Sequence, residues 1–281
     1  MAEKLAPPAP PPIEDELKGS EAPLLDHLVE LRKRLIYSLI AIAVLFAICF
    51  VFAGPIYDLL LLPFKWAAGD SAVKLIFTAP QELFFTYMNV ALFGAVFLGF
   101  PVIATQIYAF VAPGLYKKER KAFLPYLVAT PVFFVAGGLM VYFAVAPMAL
   151  HFFLGMQQIN PDDISIEMQT RVSEYLGFIM TLILAFGICF QLPVVLTLLA
   201  RIELVTSAQL GKGRKFAIVG ILAAAAFLTP PDPISQIGLS LPMYALYELS
   251  IFSVKWVERQ RARKLAAAWI ALTRVRDYRH H

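Results

Sequence analysis

The chain has 281 residues, of which 59% are hydrophobic and only 16% charged, with a formal net charge of +4 and a mean hydropathy of +0.71. That composition excludes a water-soluble globular domain and makes a membrane protein the expectation, with lipid rather than nucleic acid around it. The two cysteines, Cys49 and Cys189, both fall in apolar stretches and read as small core residues, not as a disulfide framework.

Residues 1–22 are Pro-rich and mixed in charge, without the apolar core of a cleavable signal peptide, and are expected to form a disordered cytoplasmic tail. Leu24, Leu25, Leu28, Leu31 and Leu35 then recur at helical spacing with charged residues between them, the pattern of an amphipathic interfacial helix leading into the membrane.

Crossing about 30 Å of hydrocarbon takes about 20 helical residues. Six segments are candidates: Leu35 to Ala53, Phe84 to Val111, Phe123 to Ala146, Tyr175 to Ala200, Phe216 to Leu228 and Ile234 to Val254. The fifth has only thirteen apolar residues before "TPPDP", so on length alone a re-entrant helix is an equal reading. Charge separates the two. In the flanks, Lys and Arg number three just before the first segment (Arg32, Lys33 and Arg34), then two, four, one, four and zero in the loops, and eight in the tail. With six crossings every loop obeys the positive-inside rule and both termini are cytoplasmic; with five, the eight-base tail lies outside. A short fifth span thins the local bilayer or tucks against its neighbours.

Between the first two spans, "PIYDLLLLPFKWAAG" is too short to cross and carries Trp66 for the headgroup region, so it is expected to lie along the outer face. "TAPQ", Thr78 to Gln81, reads as a capping box opening the second span, with Gln81 reaching back. Pro101, Pro131, Pro193 and Pro242 lie inside spans, where each removes a backbone bond and bends its helix. The expected fold is therefore all-α, a kinked bundle of six transmembrane helices over residues 23–254, followed by a basic cytoplasmic tail over 255–281.

Catalytic signatures are missing. The four histidines are scattered at 27, 151, 280 and 281, no His-Glu-x-x-His occurs, and "GLSL" around Ser240 lacks the second glycine of a nucleophile elbow. No enzymatic activity, metal or cofactor is expected.

Four polar features remain. In "YKKERKAF", Glu119 is the one acid among four bases; a carboxylate there suits bidentate capture of a guanidinium, and equally suits the start of the third span through the helix dipole. Glu30 reads as ligand capture too, or else as part of a solvated face or an (i, i+4) pair with Arg34. Gln191 lies deep in the fourth span, where an amide needs partners, whether other helices or a ligand. Asp232 sits in the outer proline turn, and Phe110, Leu115 and Tyr116 stand beside the basic patch at the inner interface. A six-span small-solute transporter built around Gln191 is the alternative that these features leave open.

"LLDHLVELRKRL", "IYAFVAPGLYKKERKAF", "AFGICFQLPVV" and "FLTPPDPISQ", in this order and in these places relative to the spans, resemble the signature segments of the TatC family, the receptor and core subunit of the twin-arginine protein translocase. The resemblance implies a cup-shaped inner-membrane protein with both termini in the bacterial cytoplasm. It further implies an oligomeric complex with TatA and TatB that exports folded proteins on the protonmotive force. By the same resemblance, Glu30 and Glu119 bind the paired arginines of the export signal, and Arg32, Phe110, Pro113, Leu115 and Tyr116 belong to the same surface. Pro63 and Asp232 would be sensitive positions of the outer face, and Phe227 and Leu228 would mark the docking place of a TatB or TatA helix. Many members carry Glu where this chain has Gln191, so a role that requires ionisation does not transfer to it.

Overall fold

The computed structural model describes residues 13–69, 75–111, 120–157, 169–228 and 233–278. Among these, all regular structure is helical: α1 Ile13–Val51, α2 Ala53–Ala68, α3 Pro80–Val111, α4 Arg120–Met140, α5 Ala146–Leu154, α6 Val172–Cys189, α7 Leu192–Arg201, α8 Ser207–Leu228 and α9 Pro233–Tyr278. Five stretches are long and apolar enough to cross a membrane, within α1, α3, α4 to α5, α6 to α7, and α9. The chain is a multi-pass helical membrane protein.

The boundaries move from those expected. Helix α1 starts at Ile13, inside the expected tail, and α9 runs unbroken to Tyr278, past the expected end of the membrane unit. The third span continues to Leu154 through one π turn, Val141–Val145. That turn immediately precedes Pro147, whose ring cannot accommodate a regular α-helical carbonyl at Phe143, and a π turn relieves the clash. The fourth span is two helices, broken at Phe190 and Gln191 just before Pro193.

Helix α6 is the core of the bundle. Leu176, Ile179, Leu182, Ile183 and Phe186 are buried on it at spacings of three, three, one and three residues, which makes one wide helical face. Helix α4 crosses it through glycines: a Cβ at Gly137 would fall 2.7 Å from the carbonyl oxygen of Phe186, and one at Gly187 would fall 2.6 Å from the ring of Phe134. Only the missing side chains allow this approach, the small-residue packing typical of helices in lipid. Helix α3 meets α1 in the same way, with Gly94 under Cys49 and Gly99 under Leu45. Much of the rest of α1 is bare, with Ile36, Ile40, Val44 and Val51 exposed as a lipid-facing surface must be.

Helix α2 follows the end of α1 and packs on α5 and on the first turns of α3, with the rings of Tyr57 and Tyr87 5.3 Å apart. The capping box there closes differently from the expected one: the backbone N–H of Thr78 donates to Glu82 Oε2 at 2.8 Å, so the acid one residue beyond Gln81 does the reaching back. The same carboxylate accepts from the Ser173 hydroxyl at 2.5 Å, and Ile76 pairs with Arg171 in an isolated parallel bridge, so the start of α3 is tied to the start of α6. At the opposite, basic end, α8 and α9 are clasped. Glu258 accepts from both the N–H and the hydroxyl of Ser207 at 2.8 and 2.6 Å, capping α8 from another helix, while Arg214 forks onto Glu248 at 2.7 and 2.8 Å.

Candidate functional site

At the basic end α1 and α3 run antiparallel, so successive turns of one meet successive turns of the other. His27 of α1 stacks on Phe110 of α3 with ring centroids 4.2 Å apart. Two turns along α1, the Arg34 guanidinium donates from Nη2 to Glu30 Oε1 at 3.2 Å and from Nη1 to Gln106 Oε1 of α3 at 3.3 Å. The Glu30 and Arg34 side chains keep 31% and 32% of their exposure, so the pair is half-buried and reachable from water. Arg34 also edges an open groove of about 300 Å³ that is otherwise mostly apolar, lined by Leu31, Leu35, Leu39, Ile103 and Ile107.

Glu30 therefore makes the (i, i+4) pair that its spacing allows, and it does so within a cluster of two helices. Arg32 lies on the exposed side of α1. Pro113, Leu115, Tyr116 and Glu119 fall outside the described residues, as does Asp232. Gln106 was missed by sequence reasoning although its signal was present: it is a lone amide in the apolar run "PVIATQIYAF", the same mark that singled out Gln191.

A second polar centre lies within the bundle. Gln191 occupies the break between α6 and α7, and its Nε2 donates to the carbonyls of Thr130 and Gly187 at 3.0 and 3.3 Å. Its Oε1 is buried without a donor among the described residues. The Thr130 hydroxyl is in turn 2.9 Å from the Tyr108 hydroxyl, so a polar chain runs from the fourth span through α4 to α3, two residues from Phe110. Gln191 is thus bonded to other helices and still has one acceptor to offer.

The remaining expected positions are dispersed. Pro63 is buried inside α2, where its missing N–H leaves the Leu59 carbonyl without its helical partner; the Tyr142 hydroxyl fills that place at 2.7 Å, and the Tyr175 hydroxyl bonds the neighbouring Leu60 carbonyl at 2.7 Å. Phe227, 97% exposed, and the half-buried Leu228 end α8, which leaves Phe216, Val219 and Leu222 bare along the same helix. No group of three or more His, Cys, Asp or Glu able to hold a metal occurs among the described residues.

Comparison with known proteins places this geometry. The family profile described as "Sec-independent protein translocase protein (TatC)" matches residues 26–242. The Sec-independent protein translocase protein TatC of Magnetococcus marinus is 45% identical over 92% of this chain and 94% of its own length. That of Escherichia coli K12 is 36% identical over 82% and 87%. A crystal structure of the twin-arginine translocase receptor TatC superposes with a TM-score of 0.72 at 35% identity, covering 83% of this chain and 99% of that one. These matches set aside the solute-transporter alternative: the chain belongs to the TatC family of Sec-independent protein translocases.

Proposed function

We propose that this chain is the signal-receiving subunit of a twin-arginine translocase in the bacterial cytoplasmic membrane. It works with TatA and TatB in an oligomeric complex, exports folded cargo at the expense of the protonmotive force, and does no covalent chemistry. Its basic end faces the cytoplasm with both termini, as the alternation of Lys and Arg requires. Helix α8 makes the fifth of six crossings: its 22 residues measure about 33 Å by helical rise, long enough to reach across although only thirteen are apolar.

The observation that carries this reading is that Glu30 holds a guanidinium, that of Arg34, beside the aromatic Phe110. A carboxylate placed for a planar cation is what recognition of an arginine needs. Glu119 supplies the second acid for the second arginine, and Arg32, Pro113, Leu115 and Tyr116 complete the surface. Gln191, with its one unused acceptor, and the bare end of α8 at Phe227 and Leu228 receive the membrane helix of TatB or TatA. Pro63 and Asp232 belong to the outer face.

The test is peptide binding to the purified chain in detergent. A peptide with paired arginines binds, its twin-lysine version binds more weakly because ammonium cannot fork onto a carboxylate, and Glu119→Gln removes most of the difference. Equal binding of both peptides by parent and variant overturns the receptor reading.

A further inference from the structure

Arg34 is seated as a ligand would be. Two oxygens from two helices, Glu30 Oε1 of α1 and Gln106 Oε1 of α3, converge on the two terminal nitrogens of one guanidinium. The seat is imperfect. Both contacts, at 3.2 and 3.3 Å, are long for charge-assisted hydrogen bonds, and the Arg34 Nε is buried with no acceptor among the described residues. The side chain is long and about a third exposed, so it has a route back into water, and the groove beside it leaves room for another chain.

We propose that Arg34 is a resident stand-in for a ligand guanidinium, and that an arginine of the export signal binds by displacing it from Glu30 and Gln106. This rests on the receptor reading above and adds two things to it. Gln106 becomes a ligand-binding residue, and Arg34 becomes a built-in competitor that sets affinity. A group tethered four residues from its acceptor competes at an effective concentration on the order of millimolar, so a free arginine in solution does not dislodge it, while a signal anchored by further contacts does. It also keeps the Glu30 charge neutralised when no cargo is present.

The experiment measures binding of a fluorescent peptide carrying Arg-Arg ahead of an apolar segment to the full chain in detergent, with thermal unfolding run on every variant. Arg34→Gln, which removes the competitor, is expected to tighten binding roughly tenfold. Arg34→Lys, whose ammonium cannot bridge both acceptors, falls between. Gln106→Leu acts differently in two backgrounds: in the parent, where it also loosens the competitor, it does not weaken binding, and in Arg34→Gln it weakens the peptide because the ligand loses an acceptor. Glu30→Gln abolishes the gain from Arg34→Gln. If Arg34→Gln and Arg34→Lys both fold and bind no tighter than the parent, while Glu30→Gln still weakens binding, the stand-in proposal is wrong and the receptor reading survives. If neither the parent nor Arg34→Gln binds the peptide, both fall.

Discussion

The Tyr142 hydroxyl donates to the Leu59 carbonyl at 2.7 Å, across 83 positions of sequence, because Pro63 leaves that carbonyl without its own helical donor. The bond repairs a defect that the proline makes, and the repair fixes α2 against the π turn that carries Tyr142. Tyr142→Phe is therefore expected to cost about 1 kcal/mol, the usual worth of one such hydrogen bond. In a Pro63→Ala background, where an N–H is restored at position 63, the same change costs less. Thermal unfolding of the four proteins checks this: equal losses from Tyr142→Phe in both backgrounds contradict the account.

The crossing of α4 and α6 gives the largest expected loss. A Cβ at Gly187 would lie 2.6 Å from the Phe134 ring, and that ring is stacked at 3.6 Å on Phe100, so it has little room to yield. Gly187→Ala is expected to destabilise by about 1–3 kcal/mol, the range for overpacked cores. Phe134→Leu, which frees the space, recovers part of that when combined with it, as measured by the unfolding midpoint of the double variant.

Gln191 donates to two carbonyl oxygens, and the direction of those bonds decides which replacements are tolerated. Leu removes the donor and leaves the carbonyls to their helices, at about 1 kcal/mol. An ionised Glu puts oxygens against oxygens and has nothing to donate. Gln191→Glu at pH 8 is accordingly expected to be no more stable than Gln191→Leu, a ranking that thermal melts in detergent read directly.

At the end of the bundle that carries α2, Glu82 joins the Thr78 N–H to the Ser173 hydroxyl and so couples the first turn of α3 to that of α6. Glu82→Gln keeps the acceptor oxygen but weakens both bonds by removing the charge, whereas Glu82→Ala loses them. Amide exchange in residues 76–82 is expected to rise in the order parent, Gln, Ala; equal protection in all three would show that the isolated Ile76 and Arg171 bridge alone holds the segment.

Much of this architecture is legible in the residues, because lipid forbids unpaired backbone and long apolar runs have few other fates. What the residues do not announce is geometry that depends on partners far along the chain. The break at Gln191 and the π turn ahead of Pro147 come from prolines that sequence can locate, but their local solutions depend on neighbouring helices. The cap closes on Glu82 rather than on the expected Gln81, and the second partner of Glu82, Ser173, lies 91 positions away with nothing nearby to announce it. At the basic end, Glu30 and Arg34 were readable as a helical pair, while Gln106 joins them only through the antiparallel packing of α1 and α3.

The cap that Glu258 places on Ser207 changes where the chain can be cut or extended. A truncation at residue 254, the point where hydropathy drops, would strip the start of α8 of its acceptor and leave the amide and the hydroxyl of Ser207 without their partner. Reporter fusions and tags belong after Arg261, which adds an ion pair to Glu203 in the turn before α8; placed earlier, they would loosen the pairing of α8 with α9 while leaving every apolar segment intact.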